Sequence, residues 1–170
     1  MTTVFFVSLI ISTFLCALVT GFVFTYAIVV MPGLKKLGDK EFIRAFQVTD
    51  GIIQNSQPFF MIVWLGSIIS VSGAVIMAFI VPTFIGDWVV IATGFAYLFG
   101  VQGLTIFVHL PLNKQIQSLN VSILDPKALL DQRVLFEARW TLFNKLRTLI
   151  ACIVTASFII TLSLDFPIIW

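Results

Sequence analysis

Three polar side chains recur at helical spacing within one apolar stretch of the sequence. Gln102, His109 and Asn113 are separated by seven and four residues, which at about 100° per residue puts them within roughly 40° of one helix face. They offer hydrogen-bond donors and acceptors and one imidazole that can accept a proton. We therefore consider this face as one wall of a candidate binding pocket.

A second polar face lies nearer the C-terminus. On a continuous helix, Trp140, Asn144 and Arg147 fall at roughly 100°, 140° and 80° from Arg139, so the first three share one face. Asn55 precedes another apolar stretch and is expected at a similar depth. Facing each other, the two polar faces would form a pocket with an apolar floor and a rim of one His, two Arg and several amides.

The same residues also fit a purely structural interpretation. Arg139 and Arg147 would then extend toward lipid phosphates, Trp140 would anchor the helix at the membrane surface, and His109 would hydrogen-bond a backbone carbonyl. Spacing alone does not decide between a pocket and this alternative.

The composition indicates that the protein lies in a membrane. Of the 170 residues, 59% are hydrophobic and 11% are charged, 18 are Phe, and the mean hydropathy is +1.09. These values exclude a soluble globular domain and make membrane lipids the expected surroundings. A net charge of +2 gives no basis for nucleic-acid binding.

Four stretches without charged residues are long enough to cross a bilayer as helices, which takes about 20 apolar residues. The sequence therefore predicts an all-α membrane protein, with one integral membrane domain over residues 1–170 and a four-transmembrane-helix bundle. The predicted spans cover residues 4–30, 59–81, 88–110 and 142–164.

The first long connection is predicted to contain a short interfacial helix. After Asp39, which can cap a helix, residues 40–48 carry Phe42, Ile43 and Phe46 on one side and charged or amide side chains elsewhere. Such an amphipathic segment is typical of a helix lying at the membrane surface.

The second long connection is predicted to continue into the fourth span. Asp125 and Pro126 form a helix start, and nothing interrupts the helical pattern beyond them. The fourth helix is therefore expected to begin in the cytoplasm, with Arg133 and Glu137 as an ion pair one turn apart. Pro111 is expected to bend or end the third helix.

The basic residues predict the orientation in the membrane. All ten Lys and Arg residues follow the first or the third predicted span, the last two at the start of the fourth span, and the turn from Pro82 to Asp87 and the tail from Asp165 to Trp170 contain none. Since basic loops stay in the cytoplasm, both termini are expected on the extracytoplasmic side.

Several kinds of chemistry lack their essential residues. Cys16 and Cys152 lie in apolar stretches without a Cys-x-x-Cys pair, which argues against disulfide exchange. No span carries a charged residue at its middle, whereas proton pumps, carboxylate di-iron oxidases and Schiff-base pigments require one. A transporter or channel is disfavoured because no predicted span is charged or broken at mid-membrane. His109 has no second histidine that would make a paired haem site. We predict no metal and no cofactor.

Three motifs border the predicted spans, and together they resemble the anthrone oxygenase-like family of small four-span membrane proteins. They are Met31-Pro32-Gly33-Leu34, Pro111-Leu112-Asn113 and Arg139-Trp140-x-x-x-Asn144-x-x-Arg147-Thr148. The resemblance covers nearly the whole chain and includes the order of the motifs relative to the spans.

The resemblance implies a function for the polar residues. Some members of this family oxidise the anthrone carbon of aromatic polyketides to a quinone with molecular oxygen, without metal or flavin. The expected ligands are therefore a lipophilic aromatic molecule and oxygen. The implied catalytic residues are His109 as base and Arg139 or Arg147 as enolate stabiliser, and the implied substrate-binding residues are Gln102, Asn113, Trp140, Asn144 and Asn55. The alternative function is a non-catalytic membrane module that binds a lipid, a quinone or a protein partner.

Overall fold

The apolar stretches form four long helices in the computed structural model, which describes residues 3–80 and 85–165. We label them α1 (Thr3–Leu34), α3 (Pro58–Ile80), α4 (beginning at Ile85 and ending at Gln117) and α5 (Pro126–Asp165). A further helix, α2 (Asp39–Gln54), lies between α1 and α3. All four long helices are long and apolar enough to cross a membrane. The predicted all-helical fold with four spans is confirmed, and no strand occurs in the described ranges.

The helices extend beyond the predicted spans at several ends. α1 continues past residue 30 to Leu34, and α4 continues past residue 110 to Gln117. α5 begins at Pro126 as predicted, where the Asp125 side chain accepts a hydrogen bond from the Ala128 backbone N–H at 2.8 Å. Residues 81–84, which include the first half of the predicted turn, and the tail after Asp165 lie outside the described residues.

Two prolines lie inside helices, and in each case one residue separates the proline from a preceding π-helical segment. In α1 the segment Tyr26–Val30 precedes Pro32, and in α4 the segment Thr105–His109 precedes Pro111. The five-residue turns close with backbone bonds from the residue before each proline, Met31 and Leu110. Such a turn changes the hydrogen-bond register where proline has no N–H to donate. Of the two outcomes predicted for Pro111, the third helix does not end there, because it continues to Gln117.

The long helices form a ring in which α1 and α4 each pack against α3 and α5. Close approach depends on small residues: a side chain added at Gly94 would collide with Val75, and one at Gly100 would collide with Ile150. This is the contact that small residues permit between membrane helices.

Helix α2 packs on one end of this ring. Its residues Phe42, Ile43 and Phe46 are buried in a cluster with residues of α4 and α5, including Ile116 and Phe136. α2 is longer than the predicted 40–48, and its N-cap is Gly38 rather than Asp39. The apolar side of this amphipathic helix is therefore largely covered by protein.

Arg133 fixes the start of α2 to α5. Its guanidinium donates to Asp39 at 2.9 Å and to the backbone carbonyls of Lys35 and Leu37, both at 2.8 Å. It also forms the predicted pair with Glu137 at 3.0 Å. These bonds hold the α1–α2 connection against the long helix.

The middle of α2 is fixed to the end of α4 by amide side chains. Gln47 donates to the backbone carbonyls of Ile116 and Leu119 at 2.8 and 2.9 Å, and Gln117 donates to the Gln47 carbonyl at 3.0 Å. Together with the Arg133 contacts, these bonds hold α2 across one end of the bundle.

Candidate functional site

A cavity of about 360 Å³ lies beneath α2, between α2 and the adjoining parts of all four long helices. This volume falls within the range of small-molecule sites, about 300–1,000 Å³. Aromatic side chains form much of its wall: Phe22, Tyr26, Phe46, Phe60, Trp64 and Trp140. The exposed lining residues Leu65 of α3 and Ile106 of α4 indicate that the cavity reaches the apolar surface between these two helices.

Arg147 contributes a buried cation to this cavity. Only 4% of the residue is exposed, and its Nε and Nη1 atoms donate to Asn144 Oδ1 at 2.9 Å and Thr105 Oγ1 at 3.0 Å. The guanidinium carbon lies 5.6 Å from the centre of the Trp140 ring. Among the described residues, no carboxylate forms an ion pair with Arg147. A buried charge of this kind is costly unless an anion compensates it.

His109 lies at the end of the π-helical segment Thr105–His109 of α4 and lines the same cavity. The residue is 2% exposed, and its ring meets Trp140 edge to face with ring centres 5.0 Å apart. The Phe143 carbonyl of α5 is close to the ring, but within the described chain neither ring nitrogen makes a hydrogen bond of good geometry. A buried imidazole with both nitrogens unpartnered can exchange a proton with a ligand.

Asp50 is a functional candidate that the sequence analysis did not select. The residue is 2% exposed and lines the cavity from α2. Its two carboxylate oxygens accept hydrogen bonds from Asn113 at 2.7 Å and Gln117 at 3.0 Å. Burial raises the pKa of the Asp50 carboxyl above its ordinary value, and the hydrogen bonds from Gln117, Gln54 and Asn113 partly oppose this. The sequence feature that could have identified Asp50 is its spacing, because Asp50 follows Phe46 by four residues and so lies on the apolar face of α2.

Asn113 and Trp140 connect Asp50 to the aromatic wall. The Trp140 indole N–H donates to Asn113 Oδ1 at 2.9 Å, and the Asn113 amide nitrogen donates to Asp50. Each group therefore fixes the orientation of the next, from α5 through α4 to α2. Asn144 supports the site from outside the cavity lining, because it holds Arg147 and donates to the Val23 carbonyl at 3.1 Å.

Three of the sequence-selected residues lie elsewhere. Gln102 is buried deeper in the bundle, where its amide donates to the Tyr97 hydroxyl at 2.9 Å. Arg139 and Asn55 are exposed and do not line the cavity. Arg139 points away because it is about 100° around α5 from the face shared by Trp140 and Arg147.

A larger groove of about 710 Å³ lies on another side of the protein, between α1 and α5. Apart from Met31, its lining residues are exposed or half-buried, and Lys35, Glu137 and Lys145 are its charged members. It lacks the buried, unpaired polar groups of the cavity. No group of three or more His, Cys, Asp or Glu side chains that could hold a metal ion occurs in the described residues.

The fold and the cavity define a class of protein: a helical bundle with four membrane-span-like helices and a partly enclosed aromatic site at one end. A family model described as Anthrone oxygenase matches residues 58–157 of this chain. Because this match covers more than half of the sequence, the chain belongs to the anthrone oxygenase family, and the predicted resemblance is confirmed. Comparisons with the curated proteins and with the solved structures found no match.

Proposed function

We propose that this protein is a membrane enzyme that oxidises a lipophilic, anthrone-like aromatic substrate with molecular oxygen, without a metal or an organic cofactor. One observation carries the proposal: among the described residues Arg147 is a buried cation without a carboxylate partner, and it shares an aromatic cavity with His109, whose ring nitrogens make no hydrogen bond of good geometry there. An anthrone has the two groups that complement these residues: an acidic methylene, which can give a proton to His109, and an oxygen that becomes negative when the methylene loses that proton.

The first step is proton transfer from the substrate methylene to His109. The electron pair of the broken C–H bond is delocalised onto the ketone oxygen, and the resulting enolate oxygen accepts hydrogen bonds from Arg147. Trp140 and the other aromatic rings of the wall stack against the flat substrate. Because the guanidinium is held by Asn144 and Thr105 before the substrate binds, little reorganisation accompanies enolate formation.

Oxygen then reacts with the enolate carbon. One electron passes to oxygen, the two radicals combine in a C–O bond, and the peroxide takes the proton from protonated His109. Loss of the second methylene proton with cleavage of the O–O bond gives a carbonyl and water. The balance is one methylene and one oxygen molecule to one carbonyl and one water, a four-electron oxidation of carbon. Aromatic walls keep water from the carbanion.

The ligand would enter from the membrane. The cavity reaches the apolar surface between α3 and α4, where both a flat aromatic molecule and oxygen are more soluble than in water. By the distribution of basic residues, we propose that this end of the bundle faces the cytoplasm and that both termini face the other side.

The test is oxygen consumption by the purified protein in detergent with anthrone as substrate. We expect one oxygen consumed for each anthraquinone formed, and a loss of about 100-fold or more in His109→Phe and Arg147→Lys. The matched control is Arg139→Lys, because Arg139 is exposed outside the cavity. A visible spectrum with a haem or flavin band, or turnover that survives both substitutions, would contradict the proposal. Binding without oxygen consumption would support the alternative of a non-catalytic module.

A further inference from the structure

Two buried groups of opposite charge face the same cavity without touching. Asp50 enters from α2 and Arg147 from α5, and each is at most 4% exposed. They form no ion pair, since the ion pairs recorded among the described residues both involve Arg133. The cavity therefore has a hydrogen-bond acceptor on one wall and a hydrogen-bond donor on another.

Neutral side chains hold the two charged groups apart. Asn113 and Gln117 donate to Asp50, and Asn144 and Thr105 accept from Arg147. Separating two buried charges is unfavourable compared with a direct contact, so a fixed separation points to a ligand that fits between them. Its two ends must differ, because a guanidinium only donates hydrogen bonds and a carboxylate only accepts them.

The Asp50 carboxylate retains capacity for one more donor. Its two oxygens have four lone pairs, of which Asn113, Gln117 and the neighbouring Gln54 amide use three. The bond from Asn113, which is itself fixed by the Trp140 indole, orients the carboxylate relative to the aromatic wall. A hydroxyl on a ring stacked against that wall would complete the acceptor set.

We propose that Asp50 is a specificity-determining residue, which accepts a hydrogen bond from a ring hydroxyl on a ligand whose ketone oxygen is bound by Arg147. The favoured ligand is thus a flat, lipophilic aromatic ketone with a phenolic hydroxyl remote from the ketone oxygen. This inference rests on the proposed function for the choice of a tricyclic ketone as probe, but it requires no turnover.

The experiment compares two ligands that cannot be oxidised at the reacting carbon. Xanthone and 2-hydroxyxanthone keep the tricyclic ketone and have a ring oxygen in place of the methylene. Their binding is followed by quenching of tryptophan fluorescence, since Trp64 and Trp140 line the cavity. In the unmodified protein we expect 2-hydroxyxanthone to bind about tenfold more tightly, because a hydrogen bond to a buried carboxylate discriminates against a ligand that lacks the hydroxyl.

The variants separate recognition from packing. Asp50→Asn keeps the shape of the side chain but accepts a weaker hydrogen bond from the ligand hydroxyl, so the preference for 2-hydroxyxanthone should fall to about threefold. Asp50→Ala should abolish this preference. Binding of xanthone itself should change by less than about twofold in both. The control is Asp131→Asn, an exposed carboxylate of α5, which should keep the full preference.

Three outcomes count against the inference. Equal binding of the two xanthones by the unmodified protein overturns it without any variant, as does failure of both to bind. An equal loss of both ligands in a folded Asp50→Ala protein makes Asp50 a packing residue. If the protein prefers 2-hydroxyxanthone over xanthone but consumes no oxygen with anthrone, the proposed function is overturned and this inference still holds.

Discussion

Nε of Arg147 donates a hydrogen bond to Oδ1 of Asn144, one turn earlier on α5, over 2.9 Å. The amide nitrogen of Asn144 donates in turn to the backbone carbonyl of Val23 on α1 at 3.1 Å. Thr148 donates to the same carbonyl at 3.2 Å. The position of the buried cation is therefore fixed by the contact between α1 and α5. The packing of these two helices thus places a positive charge at the cavity.

Replacing Arg147 by Met should separate stability from function. Relief of the buried charge, which has no ion-pair partner among the described residues, should offset the loss of its hydrogen bonds to Asn144 and Thr105, so the free energy of unfolding is expected to change by less than about 1 kcal/mol. Binding of 2-hydroxyxanthone should fall by about tenfold or more, because the ketone oxygen loses its donor. Thermal unfolding in detergent and fluorescence quenching measure the two effects.

Arg133→Met provides the contrasting variant. Arg133 has ion pairs with Asp39 and Glu137 and little exposure, so its loss should destabilise the protein by about 1–2 kcal/mol. If Arg147→Met were the more destabilising of the two, the guanidinium of Arg147 would be a structural group.

The Trp140 indole N–H should contribute to stability through Asn113. Trp140→Phe keeps an aromatic ring in the wall but leaves Asn113 Oδ1 without its donor, at an expected cost of about 1–2 kcal/mol. The matched control is Trp88→Phe on α4, because Trp88 is 65% exposed and should change stability little. Equal thermal midpoints for the two variants would refute a stabilising role for this bond.

Asp50 should make the stability depend on pH. Because its pKa is raised in the folded protein, the folded state binds more protons than the unfolded state between the ordinary and the raised value. Its favourable contribution is therefore fully present below about pH 3.9 and is lost as the pH rises through the raised value. Unfolding midpoints measured from about pH 4 to pH 8 should fall more steeply with pH than in Asp50→Asn. Asp131→Asn should follow the unmodified protein, and parallel curves for all three proteins would contradict the assignment.

The orientation in the membrane can be tested with single cysteines. In a background with Cys16 and Cys152 replaced by Ala, cysteine at Thr83 should react with an impermeant thiol reagent from outside the cell. Cysteine at Lys127 should react only after the membrane is opened, because the basic connections are predicted to be cytoplasmic. Labelling of both positions from the same side would be incompatible with this topology.

The sequence by itself determined the number and approximate positions of the membrane-span-like helices, because long charge-free runs can satisfy their backbone groups in lipid only as helices. It also determined the start of α5 at Pro126 and the ion pair of Arg133 with Glu137, which depend on neighbours within about one helical turn. Helical phase was enough to separate Arg139 from the face shared by Trp140 and Arg147.

Only the tertiary structure decided which polar groups meet in the cavity. Asp50 belongs to it because Gln47 and Arg133 hold α2 over the bundle, and both contacts join residues far apart in the sequence. Gln102 and His109 share a face by helical phase but lie in different surroundings, because π-helical turns and helix packing change along α4. Periodicity describes one helix at a time, whereas a cavity is formed by the contacts between helices.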